Sequence, residues 1–281
     1  MKPRPATGRR LANGVVSVLS TLSAVLGMVV LAWIVWVVVS RGLGAFHLDF
    51  FTQLPTPPGE EGGGLANAIL GTLAMTLLAT LVAVPLGLLG GVYLAEFGQG
   101  SRLADNTRFS ANVLIGMPSI IIGVFAYALV VVPMGRFSGY AGIVALAIIM
   151  LPIAARTAED MLRLVPNTLR EAALALGAPR WKITLTVVFR AAKAGLITGI
   201  LLAVARVSGE TAPLLFTALN SPFMMTSLGQ PTPNLTVTIF SYAVSPYPDW
   251  QEKAWGASLL ITGGVLALTL LTRYVLGERK T

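Results

Sequence analysis

The stretch LANAILGTLAMTLLATLVAVPLGLLGGVYLA, residues 65–95, runs for 31 positions without one charged side chain. A helix needs about 20 apolar residues to cross the hydrocarbon core of a bilayer, so this run holds a complete span with some tilt or a short lead-in. Working outward, residues 15–39 form an uncharged run of 25 that ends before Arg41 and carries Trp33 and Trp36 near its far end. That run exceeds the roughly 7–15 apolar residues of a secretory signal, and it reads as a retained first span. Further spans are expected within 109–135, within 137–155, from about Thr186 onward, and within 254–272. The chain therefore reads as an all-α membrane protein with six transmembrane helices.

Composition agrees. Of 281 residues, 55% are hydrophobic and 11% charged, with a mean hydropathy of +0.77. A soluble domain of this length needs far more charge to cover its surface. The net charge of +8 raises nucleic acid as a partner. However, sixteen of the twenty Lys and Arg fall in segments that a six-span topology puts on one side. That asymmetry is the positive-inside signal of a membrane protein, so lipid and not nucleic acid is the expected surrounding. It places both termini in the cytoplasm. Residues 1–14 then read as a disordered basic cytoplasmic tail, 15–277 as the membrane domain and 278–281 as a cytoplasmic end. The segments 96–108 and 156–185 read as inside loops, and 40–64 and about 221–253 as outside loops. Cysteine is absent, and the single histidine, His47, stands in a polar loop without a second ligand nearby, so no metal site is expected. No repeat of 20–50 residues recurs. Gly195 and Gly199 have the spacing that lets helix backbones pack closely.

The 156–185 loop is the most charged part of the chain, and within it VPNTLREAALALGAP, residues 165–179, specifies local structure in detail. Thr168 and Glu171 have capping-box spacing. Leu169 to Leu176 are strong helix formers. Gly177 stands where a left-handed residue ends a helix, and Pro179 suits the first position of the next one. Leu169, Ala172, Ala173 and Leu176 share one face. A two-turn helix is marginal in water alone. It either covers the bottom of its own bundle or docks into a partner protein, and the residues alone leave both open.

Glu171-Ala172-Ala173, three residues and then Gly177 resembles the EAA loop of ABC-importer permeases. The positions after it, Val187, Phe189 and Arg190, depart from the usual end of that pattern. The resemblance implies a type I ABC-importer permease bundle in which this loop is the coupling helix seated in an ATPase cleft. Three further stretches are similar to the PstA-type phosphate-permease branch: GILLAVARVSGETAPLLFT at 199–217, PSIIIG at 118–123 and NLTVTIF at 234–240. The likeness runs from about residue 15 to 277. It implies phosphate as cargo, with a second permease subunit (PstC-like), a dimeric ATPase (PstB-like) and a periplasmic phosphate-binding protein (PstS-like) as partners. ATP and magnesium would bind that ATPase, leaving no cofactor on this chain.

Charge inside the fifth span is the remaining signal. Arg206 follows Lys193 by 13 positions, about 20 Å along a helix, and so sits deep in the bilayer with Glu210 one turn further on. A charge at that depth costs at least ~2.5 kcal/mol on insertion scales. One reading is a self-neutralising i, i+4 ion pair. The other is a polar pathway in which Arg206 forks onto anion oxygens, Glu210 accepts from a protonated phosphate oxygen and Thr211 adds a hydroxyl. Gly209 and Pro213 would loosen the helix there.

Three function classes follow. An importer permease half fits the absence of any Gly-Lys-Ser/Thr phosphate loop, since ATP is then hydrolysed elsewhere. A self-sufficient channel or secondary transporter predicts repeats and ionisable residues in several spans. A membrane enzyme needs an intramembrane constellation that the sequence lacks. Within the first class, molybdate or sulfate is the alternative cargo.

Overall fold

The computed structural model describes residues 6–277, and every regular element among them is helical. In chain order the helices are α1 (Ala6–Gly42), α2 (Leu48–Thr52), α3 (Ala66–Val92), α4 (Arg102–Gly116), α5 (Ser119–Ala126), α6 (Val132–Met134), α7 (Gly139–Arg163), α8 (Asn167–Ala175), α9 (Arg180–Ile183), α10 (Phe189–Ser208), α11 (Ala212–Leu215), α12 (Leu235–Ala243) and α13 (Pro248–Gly277). Three π-helical segments extend α3 (Tyr93–Phe97), join α5 to α6 (Tyr127–Val131) and join α9 to α10 (Thr184–Val188).

Five stretches are long and apolar enough to cross a membrane: Arg10–Ala45, Ala66–Phe97, Gly139–Arg163, Arg180–Ser208 and Pro248–Leu270. The sixth candidate is a bent pair and not a single helix. Arg102–Gly116 and Ser119–Met134 meet at a bend of 104°. Pro118 biases its predecessor away from helical geometry, and Met117 is extended with ψ 135°. The third span is therefore not straight, and most of the expected 96–108 loop is helix: Ser101 caps α4 by accepting from the Leu103 N–H.

Other boundaries move for one physical reason: charged residues are good helix formers, so a helix continues after it leaves the apolar layer. Thus α7 runs to Arg163, past the expected end at 155, and the fifth crossing starts at Arg180, before Thr186. Residues 6–14, expected as disordered tail, continue α1, while residues 1–5 and 278–281 lie outside the described residues. The 221–253 segment contains α12, whose Leu235 to Thr238 are buried. Asn234 caps that helix, and the Leu235 N–H donates to Thr72 Oγ1 on α3 at 2.8 Å.

Small residues hold the bundle together. Gly87 and Gly91 on α3 lie against Ala154 and Ala158 on α7, so close that a Cβ on Gly91 would sit 2.4 Å from the Ala158 methyl. Gly195 and Gly199 on α10 make the same close approach to Met161 and Thr157. Met75, Ala79, Ala83, Met150, Ala203 and Val207 fill the centre, whereas Leu77, Leu81, Leu89 and Leu202 face outward. Large apolar side chains outside and small ones inside is the packing expected where the surrounding solvent is itself apolar.

Candidate coupling and translocation sites

At one end of the bundle α8 starts directly after Pro166, whose side chain makes no cap. Thr168 thus lies inside the helix, and the predicted Thr168–Glu171 capping box does not form: the helix begins two residues early, with Pro166 at the cap position. The predicted C-terminus does form. Gly177 has φ +79°, its N–H donates to Leu174 O at 2.9 Å, and the Ala178 N–H donates to Ala173 O at 3.3 Å. This paired bonding is a Schellman ending, which requires a left-handed residue where glycine has no Cβ to clash.

Ala173 packs inward against the group formed by Ala158, Leu162, Val165 and Val188. Glu171, Ala172, Leu169, Leu174 and Trp181 are exposed, and Leu176 is 88% exposed. The expected apolar face is therefore split: of its four members only Ala173 packs against the bundle. Orientation comes from Arg170, which the sequence reading passed over. Its guanidinium donates to Glu96 at 2.7 Å and to Leu162 O at 2.8 Å, and also to Val165 O. The loop carrying α8 is thereby tied to the π-helical extension of α3.

A second feature legible only in three dimensions lies beside it. Glu159 on α7 is completely buried and accepts from Arg108 on α4 at 2.7 Å, Arg156 at 2.5 Å and Arg163 at 2.8 Å. Arg108 also donates to Leu94 O and to Asp105. This network joins the bent third crossing, the α3 extension and α7.

The opposite end holds the second set. Helix α10 stops at Ser208, and Glu210 and Thr211 lie in the break before α11, so Glu210 is not one turn further along the same helix. Gly209 ends the helix more completely than the loosening expected of it. Arg206 Nε stands 4.0 Å from Glu210 Oε1, with the two side chains 54% and 14% exposed. Neither charged group makes a hydrogen bond with any described residue, and this separation is too long to be one. Glu210 is instead fixed by its backbone, its carbonyl accepting from Thr236 Oγ1 at 2.9 Å. Thr211 precedes α11, and its carbonyl accepts from the Leu214 and Leu215 N–H groups. Pro213 lies against Gly123 of α5, where a Cβ would meet the proline Cα at 2.7 Å. The three sequence stretches singled out around 118–123, 199–217 and 234–240 thus meet at one place. The described residues contain no group of three or more His, Cys, Asp or Glu that could hold a metal, and His47 is exposed.

A model of the binding-protein-dependent transport system inner membrane component matches residues 83–276, which span α8, the Arg206 break and α13. The chain belongs to this family. Within the inner membrane component family it is 47% identical over 272 residues to the phosphate transport system permease protein PstA of Yersinia pestis, covering 97% of this chain and 92% of that protein. The PstA protein of Haemophilus influenzae is also 47% identical over 272 residues, with 97% and 96% covered. Among solved structures, the inward-facing MetNI methionine ABC transporter matches with a TM-score of 0.62 at 22% identity, over 76% of this chain and 95% of that one. A bacterial ABC transporter involved in alginate import matches with a TM-score of 0.60 at 10% identity, over 86% and 84%. These two show the fold alone: an importer-permease bundle, as the sequence predicts. An inner membrane component of this kind works as a transport subunit within a larger ABC assembly.

Proposed function

We propose that this chain is the permease subunit of an ATP-driven phosphate importer that lines half of the translocation path and couples to a separate ATPase. Near-full-length identity to the PstA proteins supports phosphate as cargo. The observation that carries the mechanism is Arg206: a guanidinium with no hydrogen bond to any described residue, more than half exposed, at the end of a helix that carries no other charge after Lys193. A bidentate donor held open in this way suits a tetrahedral oxyanion. Glu210 beside it can accept from the protonated oxygen of hydrogen phosphate, a bond that sulfate does not offer at neutral pH. Thr211 contributes the neighbouring hydroxyl.

Coupling belongs to the other end. Glu171, Ala172, Ala173 and Gly177 present α8, with its outward leucines, to the ATPase cleft. ATP and magnesium bind there and not to this chain. The assembly comprises a second, PstC-like permease, a dimeric PstB-like ATPase and a periplasmic PstS-like phosphate-binding protein in the bacterial inner membrane, with both termini of this chain cytoplasmic. The test is radiolabelled phosphate uptake by the reconstituted complex, with sulfate and molybdate as competitors. Uptake driven by ATP and insensitive to both competitors is expected; uptake of either in place of phosphate would overturn the cargo assignment.

A further inference from the structure

Behind α8 lies a cavity of about 410 Å³ whose lining includes three arginine side chains, Arg108, Arg163 and Arg170, with the amides of Gln99 and Asn167 and the backbone of Gly100. No carboxylate lines it. The acids that hold these arginines, Glu159 and Glu96, stand behind them. Arg108 and Arg163 converge because both donate to the same Glu159 oxygen. Arg156 takes the other oxygen, so three guanidinium groups share one buried carboxylate. Asp105 pairs with Arg108 at 2.7 Å and Asp160 stands 3.8 Å from Arg156, so these acids match the four arginines in number, but none of them lines the cavity. Arg163 spends one nitrogen on Glu159 and keeps other N–H groups free.

We propose that this cavity is a binding site for a phosphate-bearing anion, separate from the translocation path, and that its occupancy bears on α8. The planar donors facing a lining without carboxylates, with the neutral amides beside them, fit a group with several acceptor oxygens. Asn167 and Arg170 belong to α8 itself, so an anion here contacts the coupling helix and the α3–α4–α7 network at once. The same chemistry is offered by inorganic phosphate and by an anionic phospholipid headgroup. The inference rests on this chain's own cavity and not on the cargo assigned above.

The experiment uses the assembled complex in lipid discs, without nucleotide or binding protein, and follows its thermal unfolding midpoint. One arm titrates inorganic phosphate in phosphatidylcholine discs. The other replaces part of that lipid by phosphatidylglycerol with no phosphate present. A ligand that binds the folded state raises the midpoint. Stabilisation in either arm is expected, with the phosphate needed for half the effect, or the phosphatidylglycerol fraction needed, raised about tenfold by Arg163→Gln. Gln99→Glu puts a carboxylate into the cavity without touching the Glu159 network, and it should weaken the response similarly even if Arg163→Gln folds poorly. The titrations are repeated in the Arg206→Met background, where phosphate bound on the translocation path no longer contributes, and a response that Arg163→Gln and Gln99→Glu weaken should persist there. A parent stabilised in neither arm, or a parental response in Gln99→Glu, would overturn the proposal. A response lost only in Arg206→Met would place the anion on the translocation path instead.

Discussion

Glu159 is completely buried and bonded to three arginines, whereas Arg206 is more than half exposed and faces a single carboxylate 4.0 Å away. Removing one member of a buried ionic network strands the others, at a cost of about 3–5 kcal/mol. Glu159→Gln is therefore expected to destabilise the chain by that order, read as a lower denaturant midpoint in detergent and less protein in the membrane. Arg206 should behave oppositely. No hydrogen bond is lost when it goes, and exposed pairs contribute only about 0–1 kcal/mol. The double variant Arg206→Met with Glu210→Gln should assemble at parental levels yet fail in phosphate uptake. Parental uptake by that assembled variant would make the pair structural. Only one of these two charges was visible in the sequence, and the reason is context. Arg206 is a lone cation in an apolar run. Glu159 sits among the eight charges of 156–185, and its partner Arg108 is 51 positions away in a segment that read as loop.

Helix α8 shows the same division at the scale of an element. Its existence, its glycine ending and the proline after it follow from local chemistry, and each forms at the expected place within a residue. Its start was misplaced because Pro166 competes with the cap at Thr168. Its tether was not foreseen, because Arg170 and Glu96 are 74 positions apart and only the fold brings them together. Two predictions belong here. Gly177→Leu forces a Cβ into a left-handed position at about 1–2 kcal/mol and redirects α9, and Glu171→Lys reverses charge on the exposed face. Both should reach the membrane normally but lose phosphate uptake while ATP hydrolysis no longer responds to substrate; normal coupling in both would remove the coupling role of α8. The tether makes a separate statement. Arg170→Glu alone should free α8 and uncouple. Adding Glu96→Arg should restore coupling only in part, since the backbone bonds to Leu162 O and Val165 O are not recovered by the exchange. The ratio of phosphate transported to ATP hydrolysed reads both.

At the scale of the whole molecule, hydropathy was enough to find every crossing, because each apolar run needs only length and the absence of charge. What hydropathy misses is where a crossing bends or breaks, as at Met117 and Gly209, since those depend on single residues and on the neighbours that accept the freed backbone groups. The same blindness hides which surfaces face lipid and which face protein. The most apolar part of α1 is entirely unburied within this chain. Only its foot is held, where Gly42 packs against Trp255 and Leu259 of α13 and Arg41 lies over the Trp255 ring. Arg206 is likewise more than half exposed within this chain. On the proposed coupling, one chain presents one α8 to a two-fold ATPase dimer with two clefts, so a second permease is expected to supply the other coupling helix and the other wall of the path. A different subunit is expected in that place, since a path with cationic Arg206 on one wall need not carry a second copy opposite it. Gentle solubilisation followed by native mass spectrometry should give one copy of this chain, one of a second permease and two ATPase protomers. Co-expression without the second permease should leave Arg206-dependent uptake undetectable although α8 is intact. A stable, transport-competent assembly with this chain as its only membrane subunit would refute the pairing.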